Sequence, residues 1–137
     1  MDFGVMLPHF RQAASADGII RVAQEAEAMG FGSVWVSEHL AIPTEHLERR
    51  GSVWYEATTV LAFAAAVTKT IHLGTSVLVM PFRSPILTAK AIATVDVLTN
   101  WRMSLLCVIT AKPRMFHKIS NAHALQVNLP PDVVSVE

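Results

Sequence analysis

Two histidines, a carboxylate and a guanidinium follow short apolar runs in this chain: His9 after GVMLP, Glu38 and His39 after SVWVS, and Arg83 after LVMPF. An imidazole titrates near neutrality, so His39 is the leading candidate for proton transfer, with Glu38 beside it able to tune or orient neighbouring groups. Successive side chains of a strand point to opposite faces, so Glu38 and His39 need not touch. His9, Phe82 and Arg83 complete the set as substrate-side candidates. The run Gly74-Thr75-Ser76-Val77-Leu78-Val79 places small polar residues within an apolar strand. A glycine there marks a bulge, a close-lying ligand or backbone, or a tight helix-to-strand contact.

Metal chemistry is a poor match. His72 would be the third histidine of a zinc site, yet it opens its strand while His9 and His39 follow the ends of theirs. At about 3.3 Å of rise per residue, that places it roughly 20 Å or more from them. No H-x-H or H-E-x-x-H spacing occurs. Trp35 and Trp54 are expected in the core rather than as stacking platforms. The lone Cys107 rules out an intrachain disulfide framework, suits a reducing compartment, and is expected to behave as a small buried hydrophobe.

The elements that must position these groups alternate. Strands are expected at residues 3–7, 33–37, 71–79 and 103–109, and helices at 17–29, 54–68 and 84–98. In the first helix Ile19, Val22, Ala23, Ala26 and Met29 recur at helical spacing, with Asp17 as the expected cap and Gly30 as the stop. The second is apolar nearly all round, which implies burial on several sides. The third opens on Ser84-Pro85, a capping residue with proline at the first helical position. Strand starts 30 to 40 residues apart fit βαβ units, hence parallel pairing. A doubly wound dinucleotide-binding sheet needs a glycine-rich turn after its first strand, and this chain has Pro8-His9-Phe10-Arg11. The competing architecture is a partial (β/α)8 barrel of about half its usual content, since a whole one takes about 250 residues. Ligands in either fold gather at the carboxyl ends of the strands, where the candidate residues lie.

The chain has 137 residues, of which 52% are hydrophobic and 16% charged, and its mean hydropathy is +0.40. Eleven basic and eleven acidic residues cancel, leaving no field to hold nucleic acid or an anionic membrane. The longest wholly apolar run, residues 60–67, is far short of the roughly 20 residues that span a bilayer. The first residues lack the basic segment of a signal peptide, so a cytoplasmic protein acting on a small molecule is expected. Residues 111–137 carry no sustained period and are expected to form an irregular tail.

Four ordered blocks, FGVMLP, EAEAMGFGSVWVSEH, IHLGTSVLVMPFRSP and LTAKAIATVDVLT, resemble the luciferase-like superfamily of flavin- and deazaflavin-dependent oxidoreductases over residues 3 to about 102. The resemblance implies a (β/α)8 barrel that holds coenzyme F-420, slightly favoured, or FMN in its mouth. It implies cofactor contacts from Glu38, His39, Thr75, Ser76, Val77 and Val79, with His39 as the base or proton donor beside hydride transfer. It also implies a non-prolyl cis peptide at Ser76-Val77. The pattern fails at strand 4, where Asn100-Trp101-Arg102-Met103-Ser104-Leu105-Leu106-Cys107 keeps the family's arginine but none of its glycines. A truncated or frame-disrupted member is therefore expected, of doubtful activity by itself. The alternative is a non-catalytic half-barrel that self-associates through its exposed edges or is unstable.

Overall fold

The structure, a computed structural model, describes residues 3–40, 42, 44–108 and 124–127. Its sheet has strands β1 (Gly4–Met6), β2 (Ser33–Val36), β3 (His72–Thr75), β4 (Met103–Val108) and β5 (Ala124–Val127), side by side in chain order. The first four are parallel, and β5 runs antiparallel to β4. Helices α1 (Ala16–Ala28), α3 (Ala57–Val67) and α4 (Pro85–Leu98) make the three crossovers, and a single turn, α2 (Leu47–Arg50), lies in the connection after β2. A doubly wound sheet reverses its strand order at a switch point. This one never reverses, as in a barrel wall, so the fold is a run of parallel (β/α) units forming a partial (β/α)8 barrel.

Alternation along the strands sorts the two faces. Val34, Val36 and Leu73 are fully buried against Ile19, Ala23 and Ala26 of α1 and Val60, Leu61 and Ala64 of α3. The alanines keep these helices close to the sheet. On the opposite face the in-register neighbours are Met6, Trp35 and Gly74. The Trp35 indole lies across both adjacent strands: a Cβ on Gly74 would meet its ring at 2.4 Å and one on Gly4 would meet Nε1 at 2.3 Å. Its Nε1–H donates to Ser33 Oγ at 2.8 Å. Trp35 is thus half-buried on the inner face and outside the helix-side core.

The amino ends of the strands are tied by two polar fixtures, one half-buried and one buried. Glu27, in the last turn of α1, accepts the amides of Lys69, Thr70 and Ile71. Burial opposes its ionisation, but those donors outweigh it and hold the carboxyl at about 2 instead of 4.5. Arg102 spends all five N–H groups on Thr99 O, Thr68 Oγ1, Ile71 O, Ala65 O and Thr68 O, so it closes the open carbonyls at the end of α3.

Several local expectations change. Ser15 caps α1, its Oγ accepting from Gly18 N–H at 3.0 Å, while Asp17 sits within the first turn. Glu56 caps α3, which therefore begins at Ala57 and not at 54. Ser84 precedes α4 without a capping hydrogen bond. Strand β3 ends at Thr75 because the chain turns there: Ser76 N–H and Oγ–H both donate to Val36 O, at 2.7 and 3.1 Å. No cis peptide occurs among the described residues, so the cis bond expected at Ser76-Val77 is trans. Of the expected tail, residues 111–123 and 128–137 lie outside the described residues, as does the Cys107 side chain.

Candidate functional site

The carboxyl ends of the parallel strands feed three connections, and the chemistry-bearing residues lie in them. The connection after β2 folds back over the one after β1. Arg11 N–H donates to Val53 O at 2.8 Å, Tyr55 N–H to His9 O at 3.0 Å, and the Phe10 and Trp54 rings stack at 4.6 Å.

His9 is fully buried, with Nδ1 2.8 Å from Leu7 O and Nε2 receiving Ser37 N–H at 3.1 Å. It staples the ends of β1 and β2 and has no surface for a substrate. Glu38 is 3% exposed. Its Oε2 accepts Val79 N–H at 2.7 Å and Arg83 Nε–H at 3.3 Å, while Oε1 accepts from Arg83 Nη2. The same Nη2 donates to Glu56, which in turn accepts the amides of Thr58 and Thr59 at the start of α3. One guanidinium therefore joins the connections after β2 and β3 to the start of α3. Burial opposes ionisation of Glu56, but hydrogen bonds from Thr59, Arg83 and Thr58 prevail and lower it from 4.5 to about 2. Burial likewise opposes the charge on Arg83, and its two carboxylates overcome that and raise its pKa.

His39 takes different hydrogen-bond and ring partners. Its ring meets Trp54 edge-on at 4.4 Å, and its Nε2 accepts from Arg50 Nη1 at 2.6 Å. Burial pushes its pKa down, the Arg50 charge adds to that, and Glu38 opposes both. The ring is therefore neutral at pH 7, and with Nε2 occupied its proton resides on Nδ1. Among the described residues Nδ1 has no partner. Thr75 is fully buried, Ser76, Val77 and Val79 are half-buried at the rim, and Phe82 is 62% exposed in a helical turn beside Arg83. His72 begins β3 at the opposite end. No cluster that would hold a metal ion occurs among the described residues.

The structure thus joins Glu38, Val79 and Arg83 by hydrogen bonds, while His39, close enough to feel the Glu38 charge, is hydrogen-bonded to Arg50 instead. Sequence reasoning missed Arg50, Glu56 and the ring-to-ring role of Trp54. Glu56 precedes Thr58 and Thr59, an acceptor ahead of two helix-start amides, which is a legible signal. Arg50 lies eleven residues beyond His39 in an aperiodic connection and gives none.

A sequential parallel sheet with its polar groups at the strand ends defines the (β/α)-barrel class. Within that class the chain belongs to the luciferase-like monooxygenase family, whose description matches residues 1–129. It is 40% identical over 91 residues to an F-420-dependent glucose-6-phosphate dehydrogenase of Amycolatopsis mediterranei, a match covering 64% of this chain and 25% of that one. Among solved structures it resembles the coenzyme F-420-dependent tetrahydromethanopterin reductase of Methanopyrus kandleri, at 28% identity and TM-score 0.58 over 76% of this chain and 26% of that one. A monooxygenase of Streptomyces bottropensis matches at 28% identity and TM-score 0.63, over 77% of this chain and 32% of that one. The chain thus matches between a quarter and a third of the length of these relatives.

Proposed function

We propose that this chain carries the amino-terminal half of the active site of a luciferase-like oxidoreductase acting on a small molecule, with coenzyme F-420 favoured over FMN as its cofactor. The two relatives named above as F-420-dependent support that preference. The observation that supports the reading is the His39 ring at the strand ends, held neutral with an Nδ1–H that has no partner among the described residues. A directed donor beside the flat edge of Trp54 suits a planar, heteroatom-rich ring.

When bound, the cofactor supplies the hydride chemistry. The residues of this chain do the rest. His39 holds a proton at Nδ1 for the bound molecule. Trp54, itself stacked on Phe10, fixes the imidazole orientation by contact and shields it on one side. Glu38 and Arg83 neutralise each other and act by position, holding Val79 N–H and the β3 rim in place. This differs from the direct cofactor contact that the family resemblance implies for Glu38. Ser76 and Val77 line the turn with a trans peptide.

Titration of the purified chain with F-420 and with FMN, followed by absorbance and fluorescence, tests the reading. Saturable binding of F-420 at micromolar concentration, weakened by His39→Ala, is the expected result. Absence of binding to either cofactor would overturn it for this chain. A second reading, a non-catalytic half-barrel, is favoured by the open edge of β1, which among the described residues pairs with β2 alone and whose Met6 is 44% exposed.

A further inference from the structure

We propose that Arg50 is a positioning residue that fixes the His39 tautomer: the ring offers Nδ1–H to a bound molecule and takes up a proton at Nε2 only when the guanidinium moves off. The inference rests on the role given to His39 above and refines it from an undifferentiated acid or base to a gated one.

The argument is one of donors and acceptors. A guanidinium has five N–H donors, no acceptor, and does not deprotonate in proteins. A ring nitrogen 2.6 Å from Arg50 Nη1 can only be the acceptor, so Nε2 carries no proton while the contact lasts. In the neutral ring the proton then belongs to Nδ1. His39 is a hydrogen-bond donor in this state and has no lone pair left to act as a base.

The Arg50 backbone is built into place. Arg50 O accepts Trp54 Nε1–H at 3.1 Å, and Arg49 O accepts Arg11 Nη2–H at 2.8 Å. Gly51 N–H closes the turn on Leu47 O at 2.7 Å, with Gly51 at φ 78, where glycine pays no steric cost. Arg50 has no carboxylate partner among the described residues, since the ion pairs there belong to Arg83. An anionic group of a ligand could draw it away from Nε2. The charged groups that face His39 are Arg50 from α2 and Glu38 from the end of β2, and the charge of Glu38 is shared with Arg83. Trp54, from the segment before α3, presents only an uncharged ring edge.

Nitrogen-15 NMR of the histidine rings in the full chain tests this without any cofactor, with His39 assigned by loss of its signals in His39→Gln. The expected wild-type spectrum shows Nδ1 protonated and Nε2 bare at pH 7. Arg50→Met should move His39 toward the commoner Nε2–H form and raise its titration midpoint, while Arg50→Lys, which keeps one cationic donor, should restore part of the wild-type pattern. A wild-type ring already in the Nε2–H form would overturn the proposal, even if Arg50→Met failed to fold. So would a folded Arg50→Met with unchanged tautomer and midpoint. Failure of F-420 and FMN to bind would instead remove the proposed function and leave the tautomer result standing.

Discussion

Arg83 shows how a side chain at a strand end can tie separate connections together through its ion pairs. It joins two carboxylates, one of them, Glu38, almost wholly removed from water. Removing one partner of a buried pair leaves an uncompensated charge, which costs about 3 kcal/mol or more. Arg83→Met should therefore destabilise the chain by about 3 kcal/mol in urea unfolding. Adding Glu38→Gln should return part of the loss, because glutamine keeps an oxygen for Val79 N–H and carries no charge. A loss near zero in the single variant would show that the pair is solvated. The pH dependence has a definite sign. Glu56 titrates at about 2 in the folded chain and near 4.5 when unperturbed, so its stabilisation is present above about 4.5 and disappears as pH falls to about 2. Glu56→Gln should lower stability at pH 6 and leave it nearly unchanged at pH 2, measured by denaturant titration at the two values. Equal losses at both would refute the ionic role. The sequence made Glu38, His39 and Arg83 visible by their place after apolar runs, but not their pairing. Pairing depends on which way each side chain turns at a strand end and on residues 11 to 45 positions away, and no local period encodes that.

At the scale of elements the alternating pattern was readable because burial on one face of each helix and on the helix-facing side of the strands leaves a direct imprint on sequence. Boundaries were less readable, each for a local reason. β-Branched residues continue through Val79, yet β3 stops at Thr75, since the turn that ends it is made by hydrogen bonds from Ser76 to a neighbouring strand. The one-turn α2 is too short to show any period. At the start of β4, Asn100 and Trp101 adopt φ of 58 and 64, and Trp101 stands where the family resemblance places a glycine. The inner-face packing of Trp35 was also hidden, because it is written in two glycines far apart in sequence. Gly74 and Gly4 exist to admit the indole. Gly74→Ala should thus cost about 1 to 3 kcal/mol by overpacking, and the cost should shrink sharply in a Trp35→Val background. A double-mutant cycle by chemical unfolding measures this, and additive losses would mean the ring does not rest on Gly74.

At the scale of the whole molecule the question is what covers the barrel wall that the described residues form. No helix among the described residues is long and apolar enough to cross a membrane, so lipid-spanning helices are not what the exposed apolar groups serve there. Two features make the open side adhesive. Among the described residues strand β1 has a partner on one edge only, leaving peptide groups of its other edge open there, and its own Met6 is exposed on the inner face. In a complete barrel both would be covered by the strands that close it. The 137-residue chain studied by itself should therefore self-associate, with a weight-average mass that rises above 15.0 kDa as concentration increases in sedimentation equilibrium. Met6→Lys places a charge on that face next to the open edge and should shift the equilibrium toward monomer, because burying an unpaired ammonium in an apolar contact is strongly unfavourable. Met6 is the last residue of β1, so cofactor titration of the same variant reports separately whether the new charge also disturbs binding. A wild-type mass fixed at the monomer value from low to high micromolar concentration would show that the inner face is already satisfied within one chain, with Trp35 alone sufficient to close it.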